Sequence, residues 1–254
     1  LSKHERNSMI MDLMAFRVPW RVRLGDAAGV ARLEQSPTAT LRWRLLVAGG
    51  CGLAAVMAGG LAVSAHPSWW EFGGGVGDLL QKHGAHELAV GAAVVNTMLD
   101  TFAVLALLLV AAIVVISGTN ITDTILFVLV VACSWAVAWG IALLVDRPGG
   151  PVTNASEAFW FRGLTYPSRP VTLSAALLAG ILIITRRPGD RVIEICVGLT
   201  GLAAVVWARL YLGLDYPLDA AAGIVTGVAT TTVCYSGAAA FDGRRHARGR
   251  PTRL

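Results

Sequence analysis

Long apolar blocks separated by short polar connections dominate this chain of 254 residues. A helix needs roughly 20 apolar residues to cross the hydrocarbon core of a bilayer, and most of the blocks reach about that length. The predicted spans are Leu45–Ala65, Leu99–Ser117, Ile125–Val145, Val171–Thr185, Val192–Tyr211 and Leu218–Ala238. The pattern predicts an all-α fold, a bundle of six transmembrane helices, in which the short fourth span gains a turn if it begins near Ser168.

The composition supports a membrane protein and narrows the possible chemistry. Hydrophobic residues make up 55% of the chain and charged residues 15%, against about 25% charged residues in soluble domains. A disulfide framework or a zinc site needs paired or closely spaced cysteines. The cysteines are instead scattered singly through apolar blocks, at Cys51, Cys133, Cys196 and Cys234. We therefore expect no metal and no cofactor.

Arginine and lysine are distributed unevenly between the connections. They are concentrated in the first 44 residues, in the turn between the fourth and fifth spans, and in the tail. An even number of spans puts these segments on one side, which the positive-inside rule assigns to the cytoplasm. The predicted organisation is a basic cytoplasmic segment at 1–44, a membrane domain at 45–238 and a basic cytoplasmic tail at 239–254. The tail is expected to be attracted to lipid headgroups and not to nucleic acid.

Three arginines lie on the opposite side, against this charge bias, at the predicted ends of three spans. They are Arg147, Arg169 and Arg209. Singly, each has an ordinary explanation, because arginine at a membrane boundary often only extends to the headgroups. Together they favour a phosphate ester as ligand, since the planar guanidinium binds phosphate through two donors. Ser168 and the first N–H groups of the fourth span are expected to add further donors.

Short motifs around these arginines resemble the type-2 phosphatidic acid phosphatase superfamily, which also contains the vanadium haloperoxidases. The family signatures are K-x6-R-P, P-S-G-H and S-R-x5-H-x3-D. Arg147 precedes Pro148, Ser168 follows Pro167, and Arg209 keeps the family spacing to Asp215 and Asp219. The resemblance implies a six-span lipid-phosphate-phosphatase-like fold, with Arg147, Ser168 and Arg209 as phosphate ligands on the outer face.

The same motifs depart from the family at the positions that carry its chemistry. Gly140 stands at the position of the lysine, Arg169 and Pro170 at Gly-His, Ala208 at the serine and Asp215 at the last histidine. In the family, that last histidine attacks phosphorus, the aspartate matching Asp219 orients it, and the other histidine protonates the leaving group. The resemblance thus implies retained phosphate binding without the usual chemistry, with Arg169 replacing the charge of the lysine. Whether the chain is an enzyme stays open.

Three functions follow from this departure. The first is a non-hydrolytic protein that binds a lipid or polyprenyl phosphate, or that scaffolds an envelope complex with a protein partner. The second is a lipid phosphatase in which Asp215 is the nucleophile and Asp219 assists it. The third, a lipid transporter, is disfavoured because few polar residues lie deep in the spans. Asp215 has an alternative role, in which it pairs with one of the arginines and occupies the pocket.

Two further features complete the expectations. His83, His86 and Glu87 have a spacing that can hold a metal on a short helix, but a solvated helix face is the preferred explanation. The bias towards Ala, Val, Gly and Arg, with little Lys, is typical of a high-GC bacterial gene. We therefore expect a multi-pass protein of a bacterial plasma membrane, with both termini cytoplasmic and the site facing the cell envelope.

Overall fold

The described part of the chain is built mainly from apolar helices. The structure, a computed structural model, describes residues 37–66, 79–80, 82, 87–97, 113, 121–147, 164–184 and 188–248. Its helices are α1 (Pro37–Ala65), α2 (Glu87–Thr97), α3 (Ile121–Val145), α4 (Arg169–Ile184), α5 (Pro188–Tyr211) and α6 (Pro217–Arg248).

The helices confirm the predicted all-α membrane fold. Within the described residues, helices long and apolar enough to cross a membrane cover Thr40–Ala65, Thr124–Val145, Arg191–Tyr211 and Pro217–Ala239, close to the predicted spans. The fourth predicted span corresponds to α4, which is shorter and begins at Arg169. The predicted second span, Leu99–Ser117, lies outside the described residues except for Ile113. The proposed limits of the cytoplasmic segments stay a prediction.

Helix α6 is the central element, and it packs against α1, α3 and α4. Small residues permit these close approaches, as is usual between helices in membranes. A Cβ added to Gly223 would lie 2.7 Å from the Ser168 carbonyl oxygen, and one added to Gly227 would lie 2.5 Å from that of Thr172. The backbones of α4 and α6 are therefore in contact where Ser168 and Asp219 face each other.

The start of α4 is buried and positions Ser168. The Ser168 carbonyl oxygen accepts hydrogen bonds from the Thr172 N–H and the Thr172 hydroxyl, both at 2.9 Å. The residue just before the first helical turn usually has this role. Pro170 is suited to the first turn because proline has no N–H group that would need an acceptor there. Tyr166 ties the preceding segment to α1, because its hydroxyl donates to the Val56 carbonyl oxygen at 2.5 Å.

The connection between α5 and α6 is a compact helix ending. The Gly213 N–H donates to the Leu210 carbonyl oxygen and the Leu214 N–H to that of Arg209, at 3.1 and 3.0 Å. Gly213 has a φ of 67°, in the left-handed region that glycine adopts without strain. These features define a Schellman motif. Its reversal of the chain brings Asp215 back over Arg209.

Candidate functional site

Arg209 and Asp215 form a two-point ion pair. The Arg209 Nε and Nη2 atoms donate to the Asp215 Oδ2 and Oδ1 atoms, both at 2.9 Å. Arg209 is 6% exposed and Asp215 is 5% exposed. Paired, charge-assisted hydrogen bonds of this kind are among the strongest in proteins. Of the two roles considered for Asp215, the structure therefore contains the internal ion pair.

Two neutral side chains complete this pair, one from Ser168 just before α4 and one from Asn96 of α2. The Ser168 hydroxyl donates to Asp215 Oδ2 at 2.5 Å. The third nitrogen of the Arg209 guanidinium, Nη1, donates to the Asn96 side-chain oxygen at 2.9 Å. The Asp215 carboxylate thus accepts three hydrogen bonds, and the Arg209 guanidinium is held along two of its edges.

A second ion pair joins Arg147 and Asp219. The Arg147 Nη1 atom lies 2.5 Å from Asp219 Oδ1, and the two residues are 1% and 0% exposed. The other oxygen of Asp219 accepts the Tyr216 N–H at 3.1 Å, and the Tyr216 ring lies 4.6 Å from the Arg147 guanidinium carbon. The Ser168 N–H donates to the Asp219 carbonyl oxygen at 3.0 Å and so joins the second pair to the first.

Arg169 lies at the same end of the bundle in a different setting. Its guanidinium stacks over the Trp139 ring of α3, with 4.5 Å between the guanidinium carbon and the ring centroid. It also donates to the Leu164 carbonyl oxygen at 3.4 Å. Gly140, next to Trp139, has open space where a Cβ would be. The phosphate-binding role of Arg169 stays a prediction.

Two comparisons with known proteins place this network in a family context. A family model of the PAP2 superfamily matches residues 145–241, which include both ion pairs and Ser168. The chain is also similar to the crystal structure of a transmembrane PAP2-type phosphatidylglycerolphosphate phosphatase from Bacillus subtilis, with a TM-score of 0.59 and 12% sequence identity over 79% of this chain and 98% of that chain. The PAP2 match therefore applies to the segment 145–241, and the solved structure shows a similar fold over most of the chain. No curated protein matches it in sequence.

The PAP2 resemblance predicted from the motifs is therefore confirmed, and the structure brings most of the predicted site residues together. Arg147, Ser168, Arg209, Asp215 and Asp219 form one buried network at the ends of α3, α4, α5 and α6. Their roles as ligands or catalytic groups stay predictions. His83 and His86 lie outside the described residues, and Glu87 begins α2.

Asn96 is the site residue that the sequence analysis missed. It lies in the connection before the predicted second span, outside the residues matched by the PAP2 family model. No family motif marks it, and an uncharged residue adds nothing to the charge pattern. The sequence offered one indication of its role, which is its position. Asn96 is a single amide residue that follows an apolar run ending in Val95.

Tyr166 borders this network as a neutral group. Burial, together with the nearby Asp219 carboxylate, raises the pKa of its phenol to about 12, and Arg147 opposes the shift. Its hydroxyl therefore remains a hydrogen-bond donor at every physiological pH. The donor fixes the connection to α1 and adds no charge beside the ion pairs.

The geometry limits what the network can do chemically. Two guanidinium groups and two carboxylates balance each other, so a phosphate can reach both donors of Arg209 only if it displaces Asp215. The Asp215 oxygens accept hydrogen bonds from cationic and hydroxyl donors, which draws electron density away from the atoms that would attack phosphorus. Arg147 is engaged by Asp219 in the same way.

Proposed function

We propose that this protein binds the phosphate group of a lipid phosphate monoester and does not hydrolyse it. The observation that carries the proposal is the position of the Asp215 carboxylate across the two donors of Arg209 and the hydroxyl of Ser168. These are the donors that a phosphate oxygen pair would use. Asp215 is thus an internal anion that a stronger anion replaces.

Charge decides the direction of this exchange. A phosphate monoester carries about −1.5 to −2 charges at neutral pH, as phosphorylated side chains do, against −1 for a carboxylate. It also offers three acceptor oxygens, where Asp215 offers two. Arg169 and the first N–H groups of α4 supply further positive potential at the same end of the bundle.

The absence of hydrolysis follows from the groups at the family's histidine positions. Pro170 has no proton to give to a leaving alkoxide, and Asp215 is held by an arginine and a serine. A positioned general acid or base contributes about 10²–10⁴-fold to such reactions. The similar Bacillus subtilis structure is that of a phosphatidylglycerolphosphate phosphatase, and this chain has the same fold with other residues at those two positions.

The proposal also includes the side of the membrane. The basic residues of the N-terminal segment and tail favour cytoplasmic termini. The ion-pair network lies at the opposite ends of the spans, so it faces the outer leaflet of the plasma membrane. A lipid headgroup there reaches the network without leaving the interface.

The test is a ligand titration with purified full-length protein in detergent. Two water-soluble probes separate the lipid classes, dihexanoyl phosphatidic acid for glycerolipids and farnesyl phosphate for polyprenyl lipids. The corresponding uncharged diacylglycerol and farnesol are the negative controls. Phosphate release is measured in the same samples, with and without divalent metal.

Matched variants identify the site. Asp215→Asn removes the competing charge at constant shape and is expected to tighten binding about tenfold, the difference between a charge-assisted and a neutral contact. Arg209→Lys keeps the charge, loses the two-point geometry and is expected to weaken binding. Asp146→Asn, the same change at an exposed residue beside Arg147, leaves affinity unchanged.

Two results would contradict the proposal. Phosphate release that Asp215→Asn abolishes would make the protein a phosphatase with an aspartate nucleophile. If folded wild-type protein bound neither probe, the remaining hypothesis would be that the protein is a scaffold for envelope proteins.

A further inference from the structure

We infer that Asn96 is a positioning residue of the phosphate site, and that helix α2 therefore belongs to that site. The inference rests on the proposed function. Its starting observation is the hydrogen bond from Arg209 Nη1 to the Asn96 side-chain oxygen, at 2.9 Å across 113 positions of sequence. The family-matched segment does not include this residue.

The position of Asn96 is determined by packing. Ala92, one helical turn earlier on the same face of α2, is fully buried against Ala208 and Tyr211 at the end of α5. Residues four apart lie above one another on a helix. Val95 packs against the buried cluster that contains Val205, which lies one turn before Arg209 on α5. The contact surface between α2 and α5 thus sets both the height and the rotation of the amide.

The two edges of the Arg209 guanidinium have different partners. Asp215 takes the edge formed by Nε and Nη2 and neutralises the charge. Asn96 takes Nη1 with a neutral oxygen, which orients the group and leaves its charge intact. When a phosphate replaces Asp215, the Asn96 contact stays in place, and the donor edge of Arg209 remains directed at the ligand.

This division of roles explains why an amide is suited to the position. A carboxylate at position 96 would put a second negative charge on Arg209 and repel the incoming phosphate. An apolar side chain would remove the hydrogen bond that orients the Arg209 Nη1 atom when Asp215 is displaced. Only a neutral acceptor keeps both the orientation and the charge.

The test uses the full-length protein, with dihexanoyl phosphatidic acid as the probe and thermal unfolding measured on the same samples. Asn96→Ala is expected to weaken binding roughly tenfold, the loss of one hydrogen bond to a charged group. Asn96→Asp is expected to weaken it further, although the new ion pair with Arg209 leaves the unfolding temperature equal or higher. Thr97→Ala, at the exposed neighbouring position, is the matched control and leaves both values unchanged.

The opposite effects in Asn96→Asp separate positioning from a merely structural role. If Asn96 only held α2 in place, affinity would follow stability, and this variant would bind as tightly as wild type. That result would overturn the inference. Arg209-dependent binding that neither Asn96 variant changes would also overturn it while leaving the proposed function intact. Absence of binding by wild type would refute both.

Discussion

The Arg147–Asp219 pair offers a quantitative test of the network. Arg147 is 1% exposed and Asp219 is fully buried, with 2.5 Å between the paired atoms. Asp219→Asn keeps the side-chain shape and removes one charge, whereas Arg147→Met keeps the apolar stem and removes the other. Each change leaves one buried charge without its counter-charge, and breaking such a pair costs about 3–5 kcal/mol.

The double variant is the decisive member of this cycle. Independent sites would give a loss of about 6–10 kcal/mol, the sum of the two single losses. With both charges gone, no buried charge remains uncompensated, and the double variant should lose no more than either single variant. The expected coupling free energy is therefore about 3 kcal/mol or more.

Thermal unfolding of purified protein in detergent measures the effect. In a domain of this size, 1 kcal/mol corresponds to about 2–4 °C, so each single variant should unfold about 6–20 °C lower. The control is Asp146→Asn, which is the same chemical change at the exposed residue next to Arg147. The reasoning would be refuted if the losses in the double variant were additive. It would also be refuted if either single variant unfolded at the same temperature as wild type.

Three further predictions concern the surroundings of the network. Gly227→Ala should lower the free energy of unfolding by about 1–3 kcal/mol, because the new methyl group meets backbone atoms of α4. The control Gly201→Ala, where the methyl group would point into open space, should not lower it. Burial raises the pKa of Tyr166 to about 12 in the fold, above the usual value of about 10 for a tyrosine. Wild type should therefore lose about 2 kcal/mol of stability as pH rises from 10 to 12, and Tyr166→Phe should lose less over that window in chemical denaturation. Arg169→Gln should weaken phosphate binding less than Arg209→Gln, because Arg169 stacks on Trp139; equal losses in titration would place both arginines on the ligand.

The sequence predicted the spans because burial in lipid demands long apolar helices whatever their neighbours. The predicted Ile125–Val145 and the apolar stretch Thr124–Val145 differ by one residue. The helix ending after Arg209 was also open to prediction, since Gly213 marks a point at which the chain leaves the helix and reverses. Local sequence was sufficient in both cases.

The choice of partner for each charge was not available from the sequence. Asp215 had three arginines within its predicted reach, and only the packed bundle assigns it to Arg209 and leaves Asp219 to Arg147. Asn96 was missed for the same reason, because its contact joins positions far apart in the chain. Pairings of this kind depend on helix rotation, which a pattern of hydrophobic residues determines only roughly.

Because α4 and α6 are in contact, the side of the network formed by Ser168 and Asp219 is held more rigidly than the side formed by Arg209. Glycine at position 223 lets the two backbones touch, and the Ser168 N–H is bonded to the Asp219 carbonyl oxygen. Ser168 and Asp219 are therefore held in fixed positions relative to each other. Arg209 belongs to α5, which buries 11% of its most apolar stretch, against 50% for α6. An arriving headgroup should displace α5 away from a stationary α4–α6 pair, so spin labels on α5 should change their distances to α6 while labels on α4 keep theirs.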